Sequence, residues 1–141
     1  MATVELEQID IKPLEKYVVG IDKLFKKLYK KVDIDTQKNL EFSIYYFESD
    51  IAKLQKVFIR NSYKLSKEKN KRFVDERKNF NSDMMTSKKV ARDFSEENDL
   101  IALQENVMER LEKETMTIRR LANFINNERI DNLASAKRQG V

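Results

Sequence analysis

Residues 40–65 read LEFSIYYFESDIAKLQKVFIRNSYKL. Leu40, Ile44, Phe47, Ile51, Leu54, Phe58 and Leu65 fall three, four or seven positions apart, and Asn61 fills the one polar slot in the series. That spacing places every member on one side of an α-helix. The chain has neither glycine nor proline between Gly20 and Gly140, so little in its backbone interrupts helix formation. Around Phe42, Ile44, Tyr45, Tyr46 and Phe47 the apolar residues cover most of the helix circumference. A turn of that kind is expected to touch two neighbouring helices.

Working outward, the same rhythm continues on both sides. Leu14, Val18, Ile21, Phe25, Leu28 and Val32 mark an earlier helix over about 13–32, with Pro13 suited to its first position. Gly20 inside it costs about 1 kcal/mol relative to alanine, which suggests a close helix crossing. Asp35 or Thr36 is the expected cap of the second helix, over 36–78. Leu100, Leu103, Val107, Leu111, Ile118, Leu121 and Ile125, extending to Leu133, mark a third helix over 95–135, started by Asp93 or Ser95. Residues 79–95 read as a tip with a loop and a short helix. Residues 1–12 read as an extended or flexible arm ahead of a single helical domain, 13–141.

Charge explains how the helices are expected to meet. Residues 60–78 carry eight bases and three acids, and residues 95–114 carry seven acids and two bases. The two runs are mirror images about residue 87. A hairpin turning there lays one along the other, and the pairing sets register more than stability. The predicted fold is all-α: an antiparallel long-helix hairpin, a coiled-coil-like stalk, with the shorter N-terminal helix completing a three-helix bundle at one end. A seam this thin also invites self-association.

Composition removes most chemistry. The 141 residues include no histidine, cysteine or tryptophan. Nucleophilic triads, zinc sites and disulfides are therefore unavailable. No glycine-rich phosphate loop is present. Glu96 with Asp99, and Glu109 with Glu112, share helix faces as magnesium-binding carboxylates do, but a facing set of carboxylates is missing, so a carboxylate-metal phosphohydrolase is a distant third reading. No catalytic, cofactor or metal residue is assigned and no cofactor is expected. Charged residues make up 37% of the chain and the mean hydropathy is −0.68. Neither a membrane span nor a secretory signal is expected, which makes the cytoplasm of a cell or host the default location.

Two surfaces remain. Lys64, Lys67, Lys69, Lys71, Arg72, Lys88 and Lys89 could neutralise phosphates, with Tyr63, Phe73 and Phe80 stacking on bases; the competing reading makes this run half of the hairpin. Phe80, Met84, Met85 and Phe94, at the tip, either cap the hairpin internally or form a docking patch, methionine being tolerant of varied partners. The basic amphipathic stretch Lys23–Lys31 could touch an anionic membrane, but it is expected to bury its apolar side in the bundle. The function expected is therefore a non-enzymatic interaction or assembly protein. It acts through helix–helix contacts with a protein partner or with its own copies. The alternative is a small phage or bacterial accessory factor acting on single-stranded DNA or RNA.

Overall fold

The computed structural model describes residues 4–139, with side chains as far as residue 128. The side chains of Arg129, Leu133, Lys137 and Arg138, and Gly140 as a whole, lie outside the described residues. The elements are α1 (Lys12–Lys30), α2 (Ile34–Glu76), a turn of 3-10 helix (Arg77–Asn79), α3 (Asp83–Asp93) and α4 (Ser95–Gln139). The fold is all-α, with no strand among the described residues. Two compact units divide it: unit 1 comprises Met1–Asp10 and Ala52–Glu109, and unit 2 comprises Ile11–Ile51 and Arg110–Val141.

Unit 2 is a three-helix bundle. Leu14, Ile21, Phe25 and Leu28 of α1 are buried with Leu40, Ile44 and Phe47 of α2 and Leu111, Ile118 and Ile125 of α4. Burying each such side chain is worth about 1.5–3 kcal/mol relative to leaving it in water. This is the apolar side of Lys23–Lys31 turned inward, with its lysines exposed. Asp33 caps α2: its Oδ2 accepts the Thr36 N–H at 3.1 Å and the Thr36 hydroxyl at 2.8 Å. The cap is therefore earlier than the expected Asp35 or Thr36. The sequence holds three capping candidates within four residues, Asp33, Asp35 and Thr36, and the one whose carboxylate reaches the third amide wins. Gly20 marks no close crossing, because a Cβ placed there meets nothing within 4 Å. The broad aromatic turn also has one buried side and not two. Ile44 and Phe47 are inside, whereas Phe42, Tyr45 and Tyr46 are each more than half exposed.

Unit 1 is built differently. Its core joins Leu65 of α2 to Val90 and Phe94, with Val4, Phe73 and Ile101 packed around them. Polar residues complete the seam: Asn61 and Thr86 are fully buried, and Glu97 and Gln104 nearly so. The Asn61 amide donates to Gln104 Oε1 at 3.0 Å and to the Glu7 carbonyl at 2.8 Å, while its Oδ1 accepts the Glu7 N–H at 2.9 Å. Gln104 Nε2 donates to the same carbonyl at 3.0 Å. Residues 5–11 have no regular secondary structure, yet this knot docks them against the two helices. A buried amide without partners costs about 1–3 kcal/mol, so Asn61, Gln104 and the Glu7 backbone are held together or not at all.

The returning arm is read differently from its sequence in two respects. Leu103 is 61% exposed and Leu121 is 37% exposed, so neither belongs to the seam. The inward positions are Phe94, Glu97, Ile101, Gln104, Met108, Leu111, Thr115, Ile118, Ala122 and Ile125, all buried or half-buried and spaced three and four apart. Following only apolar residues leads off this line, because Glu97, Gln104 and Thr115 occupy core positions.

The turn also lies earlier than the charge pattern suggests. In unit 1 the cross-helix pairs Asn61–Gln104, Lys69–Asn98 and Arg72–Asp93 centre on about residue 83, not 87. The chain reverses within 77–82. The Arg77 guanidinium donates to the Phe80 carbonyl and, at 2.7 Å, to Asp83. Ser82 then caps α3 by accepting the Met85 N–H at 3.2 Å. Consequently α3 already belongs to the returning arm, and residues 60–78 face about 87–105. That stretch holds three bases and five acids. The match with the basic run is therefore incomplete.

Candidate interaction surface

The seven basic residues proposed from sequence fall into two sets. Lys69, Arg72 and Lys89 turn inward. Lys69 donates to Asn98 Oδ1 at 2.9 Å, Arg72 meets Asp93 at 3.2 Å, and Lys89 reaches both Asp93 oxygens at 2.6 and 2.7 Å. The hydrogen bond from Lys89 is the main reason the Asp93 carboxyl lies below its ordinary pKa, with the charges of Lys89 and Arg72 adding to it and desolvation opposing it. The Arg72 guanidinium also sits 5.5 Å from the centroid of the Phe94 ring, a cation–π arrangement. Arg72 ties α2 to α3 through Asp93, Lys69 ties α2 to the first turn of α4, and Lys89 braces Asp93 within α3.

Lys64, Lys67, Lys71 and Lys88 point to solvent. Lys64 makes only a long contact, 3.4 Å, to the Glu5 carbonyl. Lys71 pairs with Glu68 one turn away at 3.6 Å, an exposed contact of small net value. Lys67 and Lys71 border an open groove with Asn70, Val74 and Asp75. Of the aromatics proposed to stack on bases, only Tyr63 is mostly exposed, while Phe73 packs on the unit 1 core.

The tip residues divide in the same way. Phe94 is 1% exposed and is the centre of the unit 1 core, so it cannot dock a partner. Its ring fills the space between α2 and the two pieces of the returning arm. Phe80 is half-buried and Met84 and Met85 are exposed. Phe80 and Met85 line a second open groove with Lys88, Lys89 and Arg92. The outward face of α3 thus carries Met84, Met85, Lys88 and Arg92, with the exposed Asp83 of its first turn paired to Arg77. Arg92 completes this set; its four-residue spacing from Lys88 was the sequence signal for it.

Among the described residues no group of three or more carboxylates could hold a metal ion, and no helix is long and apolar enough to cross a membrane. What the surface offers is basic charge beside uncovered apolar side chains. Compared with protein-family models, curated proteins and solved structures, the chain matches none.

Proposed function

We propose that this chain is a non-enzymatic interaction protein that works through helix–helix contacts and associates with its own copies. One observation carries the reading: large apolar side chains stand uncovered on regular helix faces in both units. Phe42, Tyr45 and Tyr46 of α2 lie at positions i, i+3 and i+4 in unit 2, all more than half exposed, with the two tyrosine rings edge to face at 5.6 Å. Met84, Met85 and Leu103 stand out equally in unit 1. Scattered exposed hydrophobes are ordinary, but grouped aromatics on one helix face favour a partner helix. The absence of histidine and cysteine from the chain supports the non-enzymatic part.

The test is molar mass by light scattering across micromolar to millimolar protein. A mass that rises with concentration is expected. A monomer throughout contradicts self-association.

A second reading rests on Lys67, Lys71, Lys88 and Arg92, exposed on the same unit: a phosphate backbone follows such bases, and its binding weakens steeply with salt. Salt-dependent binding of a labelled single-stranded oligonucleotide, lost when these four become alanine in a protein that still folds, would favour it over the first.

A further inference from the structure

The seat that holds the N-terminal arm reads main chain. One side-chain amide, that of Asn61, accepts the Glu7 N–H at 2.9 Å and donates to the Glu7 carbonyl at 2.8 Å. Gln104 Nε2 donates to the same carbonyl at 3.0 Å. An extended residue presents its N–H and its C=O to one side, as paired strands do, whereas in a helix the two groups point to opposite ends. The seat therefore takes extended polypeptide and rejects a helix.

Two further contacts set the chemistry of the occupant. The Glu7 carboxylate meets Arg60 at 2.9 Å, and Val4, three residues earlier, packs on the core of Leu65, Val90 and Phe94. An extended segment with an apolar residue three positions before an acid satisfies all of them. Side chains tie the arm down lightly: Glu5, Glu7, Gln8 and Asp10 are exposed, and Leu6 and Ile9 are half-buried. The arm groups with unit 1, yet from Ile11 onward the chain belongs to unit 2. The step from 10 to 11 is the place where an arm can change seats.

Resting on the self-association reading above, we propose that this seat is also an interface between copies: the arm of one copy docks on Asn61, Gln104 and Arg60 of a second, and the second copy returns its own. Every contact made within one chain is remade between two with no new chemistry, which makes such an exchange a low-cost route to a dimer. Charge complementarity favours this occupant, because Glu7 brings the acid that Arg60 meets, and the arm is the segment whose fit the structure shows.

The test mixes two variants of the full chain, each checked for folding by circular dichroism. Asn61→Leu with Gln104→Leu removes the seat and keeps the arm. Glu7→Pro removes the N–H that Asn61 accepts and keeps the seat. Alone, each variant is expected to dimerise on the order of tenfold more weakly than the unaltered chain, or worse. Mixed, they are expected to form a one-to-one heterodimer, an intact arm on an intact seat. The Glu7 amide of the chain without a seat then exchanges slowly in the mixture only. Arg60→Glu and Glu7→Arg, both at exposed positions, repeat the test with charge alone and decide it where the leucine pair does not fold: each variant repels its own arm, and mixing restores one attraction. A mixture that stays monomeric while the unaltered chain dimerises confines the arm to its own chain and overturns the proposal. Variants that each dimerise as tightly as the unaltered chain overturn it too. In both cases self-association stands, through another face. An unaltered chain and a mixture that are monomeric at every concentration sink both.

Discussion

Unit 2 closes its seam with Leu40, Ile44, Phe47, Leu111, Ile118 and Ile125 and covers it with a third helix. Unit 1 has no third long helix; it places Asn61, Thr86, Glu97 and Gln104 among its inward residues and covers part of the seam with an extended arm. The same two helices supply both seams. The difference lies in what each seam specifies. An apolar seam stabilises through area and tolerates sliding, whereas a buried amide pair accepts one alignment and penalises every other. Unit 2 supplies stability, and unit 1 supplies register and the position of the turn.

Removing a core ring from unit 2 should give the largest loss. Phe47→Ala, at a site with no solvent exposure, is expected to cost about 3–5 kcal/mol, read as a lower urea midpoint. In unit 1, Asn61→Ala leaves Gln104 and the Glu7 amide without their partner and should cost about 2 kcal/mol. Amide hydrogen exchange along residues 4–10 should quicken in that variant and stay unchanged in the first. The sharper contrast is the pair Asn61→Leu with Gln104→Leu. It should restore much of the stability while leaving the arm unprotected, because an apolar pair supplies area without alignment.

Acid tests the ties around α3. The carboxyl of Asp93 is held below its ordinary value by hydrogen bonding from Lys89. A depressed carboxyl contributes stability above its unfolded pKa, near 4, and loses it as pH falls through the lower folded value. Exchange protection in α3 should therefore drop on acidification below about pH 4, and Asp93→Asn should remove that part of the response. The smallest effect belongs to unit 2. Arg119 clasps Glu48 through two bonds of 2.6 and 2.7 Å, but both groups reach water, so Arg119→Ala should cost under about 1 kcal/mol.

The helices of both units were legible in sequence, since three-and-four spacing is a local property. The first three-quarters of the α2 seam was named residue by residue, and Asn61 was placed in its polar slot. The returning seam was misread at Leu103 and Leu121 because a buried glutamine or glutamate looks like surface until its partner is known. Asn61 finds Gln104 and Glu7 at separations of 43 and 54 residues, which no periodicity reports. The turn was placed late for a related reason. Net charge is a property of whole runs and fixes register only loosely, whereas Arg77, Ser82 and the polar knot fix it to the residue. Among the site residues, Met84, Met85, Lys67 and Lys88 are exposed as a docking role requires. Phe94 was misplaced because a phenylalanine at a helix break reads as tip when it is in fact core.

Ser66, Ala102 and Glu109 are all exposed positions of unit 1, and the last two lie seven residues apart on one face of α4. Spin labels at Ser66 and Ala102, and separately at Ser66 and Glu109, diluted with unlabelled protein, distinguish a reversal near residue 83 from one near 87. Seven residues of helix correspond to about 10 Å. The shorter distance should belong to Ser66 with Ala102. A shorter distance for Ser66 with Glu109 would contradict the register that Asn61 and Gln104 impose.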